Sequence, residues 1–265
     1  MDVAGKVVVV TGGANGIGQA LCETFHRAGA AKVVVADLDH ARAEAVAKGI
    51  GGAAFRCDVA QEKDIRHLIE ETERLFGPIG LFCSNAGIGG GFDPMAENVA
   101  GSSDEPWSRS WAIHVMAHVY AARHLVPRMR ARGGGYFLNT ISAAGLLSQV
   151  GSAAYSTTKH AAVGFAESLA IAHKAHGIRV SILCPQGVET NMLRGLPKGP
   201  QSGDGNLTAE QVAQDALNGI QQETFLILPH AQVLGYMRKK TDNYDRWIGG
   251  MAKIQAKMRE DFGKA

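Results

Sequence analysis

Ser142, Tyr155 and Lys159 are the residues whose types and spacing imply chemistry. Tyr155 and Lys159 stand four apart at the start of a helical pattern, which places the ammonium beside the phenol on one helix face. A free phenol ionises near pH ~10 and is a poor base at neutral pH. A cation about 4 Å away, at an effective dielectric of about 20, favours the phenolate by roughly 4 kcal/mol and brings Tyr155 toward the range useful for proton transfer. Ser142 closes an apolar strand pattern, where its hydroxyl can hydrogen-bond a substrate oxygen in either its carbonyl or its alcohol form. The expected chemistry is proton exchange at a carbinol or carbonyl oxygen. A second Tyr-x-x-x-Lys, Tyr236 and Lys240, lies in a charged C-terminal stretch with no preceding buried strand and reads as a solvated helix face.

The elements that must hold these groups begin at residues 6–11, a β-branched run that passes straight into Gly12-Gly13-Ala14-Asn15-Gly16-Ile17-Gly18 and then into a helical pattern to about residue 28. Strand, glycine turn and helix in that order aim backbone N–H groups at whatever lies over the helix N-terminus, which suits a pyrophosphate. Glycine there lets the chain turn sharply and approach a ligand closely. Residues 32–36 form a second apolar run ending in Asp37, about 20 residues past the glycines, where a carboxylate binds ribose hydroxyls. A carboxylate at that place repels a 2′-phosphate, and neither Leu38 nor Asn15 offers a cation, so NAD is expected over NADP. Asp37 would equally serve as an ordinary turn or cap ahead of a helix over 40–48.

The alternation continues: strand 53–57 closing with Asp58 and Val59, amphipathic helix 62–76, and strand 79–84 running into Asn85, Ala86 and Gly87. Then come a long helix over 107–131, strand 134–140, the helix of Tyr155 and Lys159 to about 176, strand 178–184 stopped by Pro185, helix 208–221 and strand 225–228. Repeats of this length imply right-handed crossovers and a parallel sheet covered on both faces, with ligands bound beyond the strand carboxyl ends. Asp37, Asp58, Asn85, Ser142 and Pro185 all fall at those ends. The glycine-rich stretch 88–106 follows a site strand and borders the expected substrate cleft. Residues 186–206, rich in Pro and Gly, fit either a substrate lid with Met192, Leu193 and Leu196 beneath it or a plain surface loop. The tail, 230–265, reads as basic helix diluted by Asp242, Asp245, Glu260 and Asp261, packed on its own domain or on a sister subunit.

At 265 residues and 46% hydrophobic content the chain can bury one sizeable core, so a single domain is expected. A net charge of +2 gives no electrostatic case for nucleic acid or membrane. No apolar run approaches the ~20 residues of a membrane span, and the N-terminal valine run is too short for a signal-peptide core, so a soluble cytoplasmic protein is expected. Cys22, Cys57, Cys83 and Cys184 lie far apart and read as core residues in a reducing compartment. His114 and His118 share near-helical spacing, yet no third ligand accompanies them, and no metal is expected.

Thr11-Gly12-x-x-x-Gly16-x-Gly18, Asp58-Val59, Asn85-Ala86-Gly87, Ser142 and Tyr155-x-x-x-Lys159, in this order, resemble the short-chain dehydrogenase/reductase family of NAD(P)-dependent oxidoreductases. The resemblance covers roughly residues 4–229 and implies an α/β, Rossmann-type doubly wound parallel sheet of about seven strands. It implies Tyr155 as acid/base, Ser142 orienting the substrate oxygen, and Lys159 binding the nicotinamide ribose while lowering the Tyr155 pKa. It also implies Val188 and Thr190 at the nicotinamide carboxamide, Asp58 and Val59 at the adenine, and Asn85 to Gly87 at the adjoining ribose. His114 stands where the family has an asparagine that assists a proton path to the lysine. Imidazole donates, accepts and titrates near neutral pH, so His114 joins the candidate catalytic residues, either replacing the amide or altering the pH profile. Gln186 replaces a common glycine after Pro185. Family members commonly pair as dimers or tetramers through the two long helices.

The implied activity is interconversion of a secondary alcohol and a ketone with NAD. The apolar side chains of Ala144, Leu146, Val150, Met192 and Leu193 near the expected cleft point to a largely apolar substrate. An NAD-binding sensor or scaffold with little turnover, or an NADP-linked carbonyl reductase, are the alternatives.

Overall fold

Short β-branched runs set the centre of the molecule. In the computed structural model, which describes residues 1–193, 199 and 202–263, β1 (Val7–Thr11) is buried along its whole length. Val8 and Val10 face one core, and Val7 and Val9 face the other, as the two-residue strand period requires. Around it lie β2 (Lys32–Asp37), β3 (Ala53–Arg56), β4 (Ile79–Ser84), β5 (Gly135–Thr140), β6 (Ile178–Leu183) and β7 (Leu226–Ile227). All pairings are parallel, in the order β3-β2-β1-β4-β5-β6-β7. The order reverses between β1 and β4, which opens a crevice at their carboxyl ends.

Helices cover both faces, so neither side of the sheet can alternate with polar residues. Leu21 and Phe25 of α1 (Gly16–Arg27), Ala43 of α2 (His40–Gly49) and Val212 and Ile220 of α8 (Ala209–Gln221) pack on one side. Ile65 and Leu68 of α3 (Glu62–Phe76), Leu125 of α5 (Ala117–Ala131) and Ala162 and Ala166 of α7 (Ala153–His173) pack on the other. The four cysteines are free and buried within these layers. Among the described residues no helix is long and apolar enough to cross a membrane.

Three elements differ from the sequence pattern. The pattern predicts one helix over 107–131. The structure starts it earlier, as α4 (Asp104–Trp111), with Pro106 in the first turn where its missing N–H breaks no helical bond, and interrupts it by a π-turn over Ala112–Met116 before α5. A short α6 (Ala144–Leu147) follows β5. The tail forms two helices, α9 (Gln232–Asp242) and α10 (Tyr244–Gly263). Of the expected lid over 186–206, residues 194–198 and 200–201, Leu196 included, lie outside the described residues.

Candidate active site

The glycine turn is built so that only glycine fits it. Gly12 and Gly16 hold positive φ, +64° and +50°, where a Cβ strains the backbone. A Cβ on Gly12 would stand 2.8 Å from Ala86 Cα, and one on Gly16 would stand 2.9 Å from Thr190 Cγ2. Asn15 at the N-cap of α1 makes no side-chain capping bond, and the first turn carries no acidic residue. Its N–H groups and dipole therefore face the crevice uncompensated, which fits a pyrophosphate. The side chain of Asn85 braces the turn from β4, donating to the carbonyls of Thr11 (3.0 Å) and Gly12 (3.4 Å). Asp37 accepts from the backbone N–H of Ala14 and of Asp39, both at 3.0 Å, and is thereby fixed beside the turn. These residues fit a nicotinamide dinucleotide: the turn for its phosphates and Asp37 for a ribose.

A cleft of about 1510 Å³ opens over the sheet's carboxyl edge. It is lined by Gly12, Asn15, Gly16, Ile17, Gly18, Asp37 and Leu38, and further along by Asp58, Val59, Asn85, Ala86 and Gly87. Ser142, Tyr155, Lys159, Pro185, Val188 and Thr190 line the same cleft. His114 does not, and neither does Leu146, expected near the cleft.

Ser142 leaves β5 at the start of α6, its oxygen accepting from the Ala144 N–H at 3.1 Å. Tyr155 and Lys159 come from the first turns of α7, whose start is tied to the glycine-rich loop by Ser152 donating to the Gly90 carbonyl at 3.1 Å. The Lys159 ammonium is buried, donates to the Thr140 carbonyl at 3.3 Å and lies 5.6 Å from the centre of the Tyr155 ring. The depressed Tyr155 pKa expected beside a cation is not seen in this arrangement. Burial pushes the phenol above its ordinary value, and the Ser142 hydroxyl, hydrogen-bonded to it, pulls the other way. Burial also pushes Lys159 down to about 8. Desolvation, which penalises each charged form, is the largest cause of both shifts.

The expectation that His114 titrates near neutral pH is not met either. His114 sits on the π-turn with no exposed surface, behind Tyr155, their rings in edge contact at 5.4 Å. Its Nε2 accepts from the Ile88 N–H at 3.1 Å, so Nδ1 carries the proton and donates to Thr158 Oγ1 at 3.0 Å. Thr158 Oγ1 in turn donates to the Ala154 carbonyl of α7 at 2.9 Å. Burial, then the Lys159 charge, depress the His114 pKa to about 2. It therefore does not titrate near neutral pH, and it joins the loop after β4 to the helix of Tyr155 and Lys159.

Burial and Lys159 likewise hold His118 down to about 3. Both histidines are neutral when folded and charge near the ordinary value when unfolded, so the unfolded chain binds protons first as pH falls. Their stabilising contribution is whole above pH 6.5 and is lost progressively below it, by about 2 kcal/mol per histidine at pH 5. Denaturant melts at pH 7 and pH 5 check this, and His114→Asn is expected to remove about half of the acid sensitivity.

Several contacts escape sequence reading. Arg42 Nη1 donates to Asn15 Oδ1 at 3.0 Å and its Nε lies 3.3 Å from Asp39 Oδ2, so a cation does stand at the glycine turn. Tyr236 and Lys240 are not a solvated face. Lys240 donates to the Leu146 carbonyl at 2.7 Å and approaches His160 Nε2 at 3.3 Å, while the Tyr236 hydroxyl donates to Asp204 at 2.9 Å. Gln186 replaces glycine without a positive φ, and its N–H donates to His230 Nδ1 at 3.1 Å. Apart from Arg42 with Asp39, three residues apart, no sequence period signals these contacts, because each joins loops or different elements.

Comparison with known proteins agrees with this geometry. The family model described as short chain dehydrogenase matches residues 6–201. The chain is 35% identical over 192 residues to sex determination protein tasselseed-2 of Zea mays, covering 71% of this chain and 57% of that one. It is 34% identical over 256 residues to 1-deoxy-11-beta-hydroxypentalenate dehydrogenase of Streptomyces exfoliatus, covering 94% and 91%. Among solved structures, a short chain dehydrogenase/reductase from Burkholderia phymatum in complex with NAD superposes with a TM-score of 0.80 at 28% identity, covering 92% and 96%. With the doubly wound sheet, the glycine turn and the match over most of the length, the chain belongs to the short-chain dehydrogenase family of nicotinamide-binding oxidoreductases.

Proposed function

We propose that the protein is an NAD-dependent oxidoreductase that interconverts a secondary alcohol and a ketone on a small, largely apolar substrate. One observation carries the reading: Ser142, Tyr155 and Lys159 line the same cleft as the glycine turn and Asp37. When bound, the nicotinamide supplies or accepts the hydride. Tyr155, protonated at neutral pH, donates its hydroxyl proton to the carbonyl oxygen in reduction and recovers it in oxidation. Ser142 holds that oxygen by a hydrogen bond. The Lys159 ammonium stabilises the negative charge that grows on the phenol oxygen as its proton leaves. Apolar lining from Ala144, Val150, Met192 and Leu193 excludes water from this exchange.

Asp37 supports NAD over NADP, since its carboxylate repels a 2′-phosphate. Arg42 favours the second reading, an NADP-linked reductase, but its guanidinium is already engaged by Asp39 and Asn15. The deciding experiment pairs a panel of cyclic secondary alcohols with NAD and NADP in parallel. Turnover with NAD supports the reading, a strong NADP preference removes the role given to Asp37, and no turnover across the panel removes the oxidoreductase assignment. Pairing of copies through α5 and α7, on which Ile171 is 80% exposed, belongs to the same proposal.

The Lys159 pKa gives a pH prediction. Reduction needs a protonated phenol and a charged ammonium; raising pH through about 8 removes the ammonium first. The kcat/KM for ketone reduction is expected to be flat near neutrality and to fall above pH 8. In Lys159→Met that inflection should vanish along with most of the activity, and a profile still falling above pH 8 would assign the titration to another group.

A further inference from the structure

The C-terminal helices give the cleft a wall that proton transfer does not use. Trp247, Met251 and Ile254 of α10, spaced by four and three, all line it, so one helical face is turned toward the cleft. The wall is fastened at both ends. Toward its C-terminal end, Gln255 and Arg259 donate to the Pro94 carbonyl at 2.6 and 3.1 Å, and the Phe262 ring lies 6.3 Å from that of Phe92. On the preceding helix, Lys240 is bound to the Leu146 carbonyl in α6.

The same helices bring positive charge to the cleft. Lys239 and Arg246 line it, and among the described residues the one carboxylate lining that wall, Asp204, already accepts from the Tyr236 hydroxyl. Lys239 lies 5.7 Å from the centre of the Tyr236 ring and forms no ion pair among the described residues. Among the described residues Arg246 pairs only with Asp242, four residues earlier on an exposed surface at 3.2 Å, an arrangement worth little. Apolar surface followed by loosely committed cations complements an apolar body that carries an anion.

We infer that the substrate is an amphipathic acid: a largely apolar secondary alcohol or ketone bearing a carboxylate remote from the reacting oxygen. Its body lies on Trp247, Met251 and Ile254, and its carboxylate is received by Lys239 and Arg246. The inference rests on the oxidoreductase reading for the reacting oxygen but not for the anion site.

The test is a panel of hydroxylated ring compounds, each as the free carboxylic acid and as its methyl ester, titrated into the full chain. Quenching of tryptophan fluorescence reports binding, with Trp247→Phe identifying the signal of that side chain, and turnover with NAD is read separately. The acids are expected to bind about fivefold or more tightly than their esters, as two partly exposed ion pairs provide. Lys239→Ala with Arg246→Ala should bring the acid-to-ester ratio near one, and Lys239→Arg should keep it. A variant that has merely lost structure weakens acid and ester alike. The proposal is overturned if no acid binds better than its ester, including if none binds, or if the double variant retains the preference. Acids that bind with preference yet are never oxidised would remove the oxidoreductase reading alone, and esters bound and oxidised as readily as acids would remove only the anion site.

Discussion

Replacing Tyr155 by Phe is expected to lower turnover by about a hundred- to ten-thousand-fold, the range for losing a positioned acid/base. The change removes one oxygen and leaves the ring, so the edge contact with His114 at 5.4 Å and the stacking beneath the Lys159 ammonium at 5.6 Å both persist. Stability and NADH affinity should change little, because neither α7 nor the glycine turn depends on the hydroxyl. The loss therefore falls on kcat rather than on cofactor binding, and stopped-flow hydride transfer beside an NADH titration separates the two. Ser142→Ala is a weaker lesion for catalysis but not for the fold: it leaves the Ala144 N–H without its acceptor at 3.1 Å. Undiminished turnover in Tyr155→Phe would leave the phenol no part in the chemistry, and the reading of the cleft would fall.

What sequence alone reveals here follows from the range of each interaction. The doubly wound sheet is legible because buried parallel strands need uninterrupted apolar runs, as in β1, and because the runs alternate with amphipathic stretches such as α3. Tyr155 and Lys159 are legible because four residues is a helix turn, and Ser142 because it lies just past the end of a strand. The glycine turn and Asp37 come together through the simplest crossover in the fold. By contrast, the bonds from α10 to Pro94 and from Lys240 to Leu146 span 161 and 94 residues and leave no local mark. The π-turn inserts one residue into an otherwise regular period, so the pattern over 107–131 reads straight through it. Charge signs are readable but pKa directions are not: the spacing shows a cation beside a phenol, whereas the burial that raises the Tyr155 pKa and lowers that of Lys159 exists only in the folded molecule.

The glycine turn carries the second large effect. Gly18→Ala is expected to weaken NADH binding by more than about a hundredfold, roughly 2.7 kcal/mol, while costing the fold about 1 to 3 kcal/mol. A Cβ on Gly18 would collide with the Gly12 carbonyl oxygen and stand 2.6 Å from Asn85 Nδ2. Neither neighbour can yield cheaply. Gly12 is held at φ +64° against Ala86, and the Asn85 amide is the brace between β4 and the turn. β1 itself is paired on both sides, to β2 and β4, so the strand cannot shift to make room. The methyl must lift the first turn of α1 away from the turn, which moves the N–H groups that face the phosphates. Gly164→Ala is the matching control, since a Cβ there meets nothing within 4 Å on α7, and it should be neutral or stabilising by about 0.5 to 1 kcal/mol. Thermal melts and fluorescence titration with NADH on both variants make the comparison. Unimpaired NADH binding in Gly18→Ala would mean that the dinucleotide does not rest on this turn.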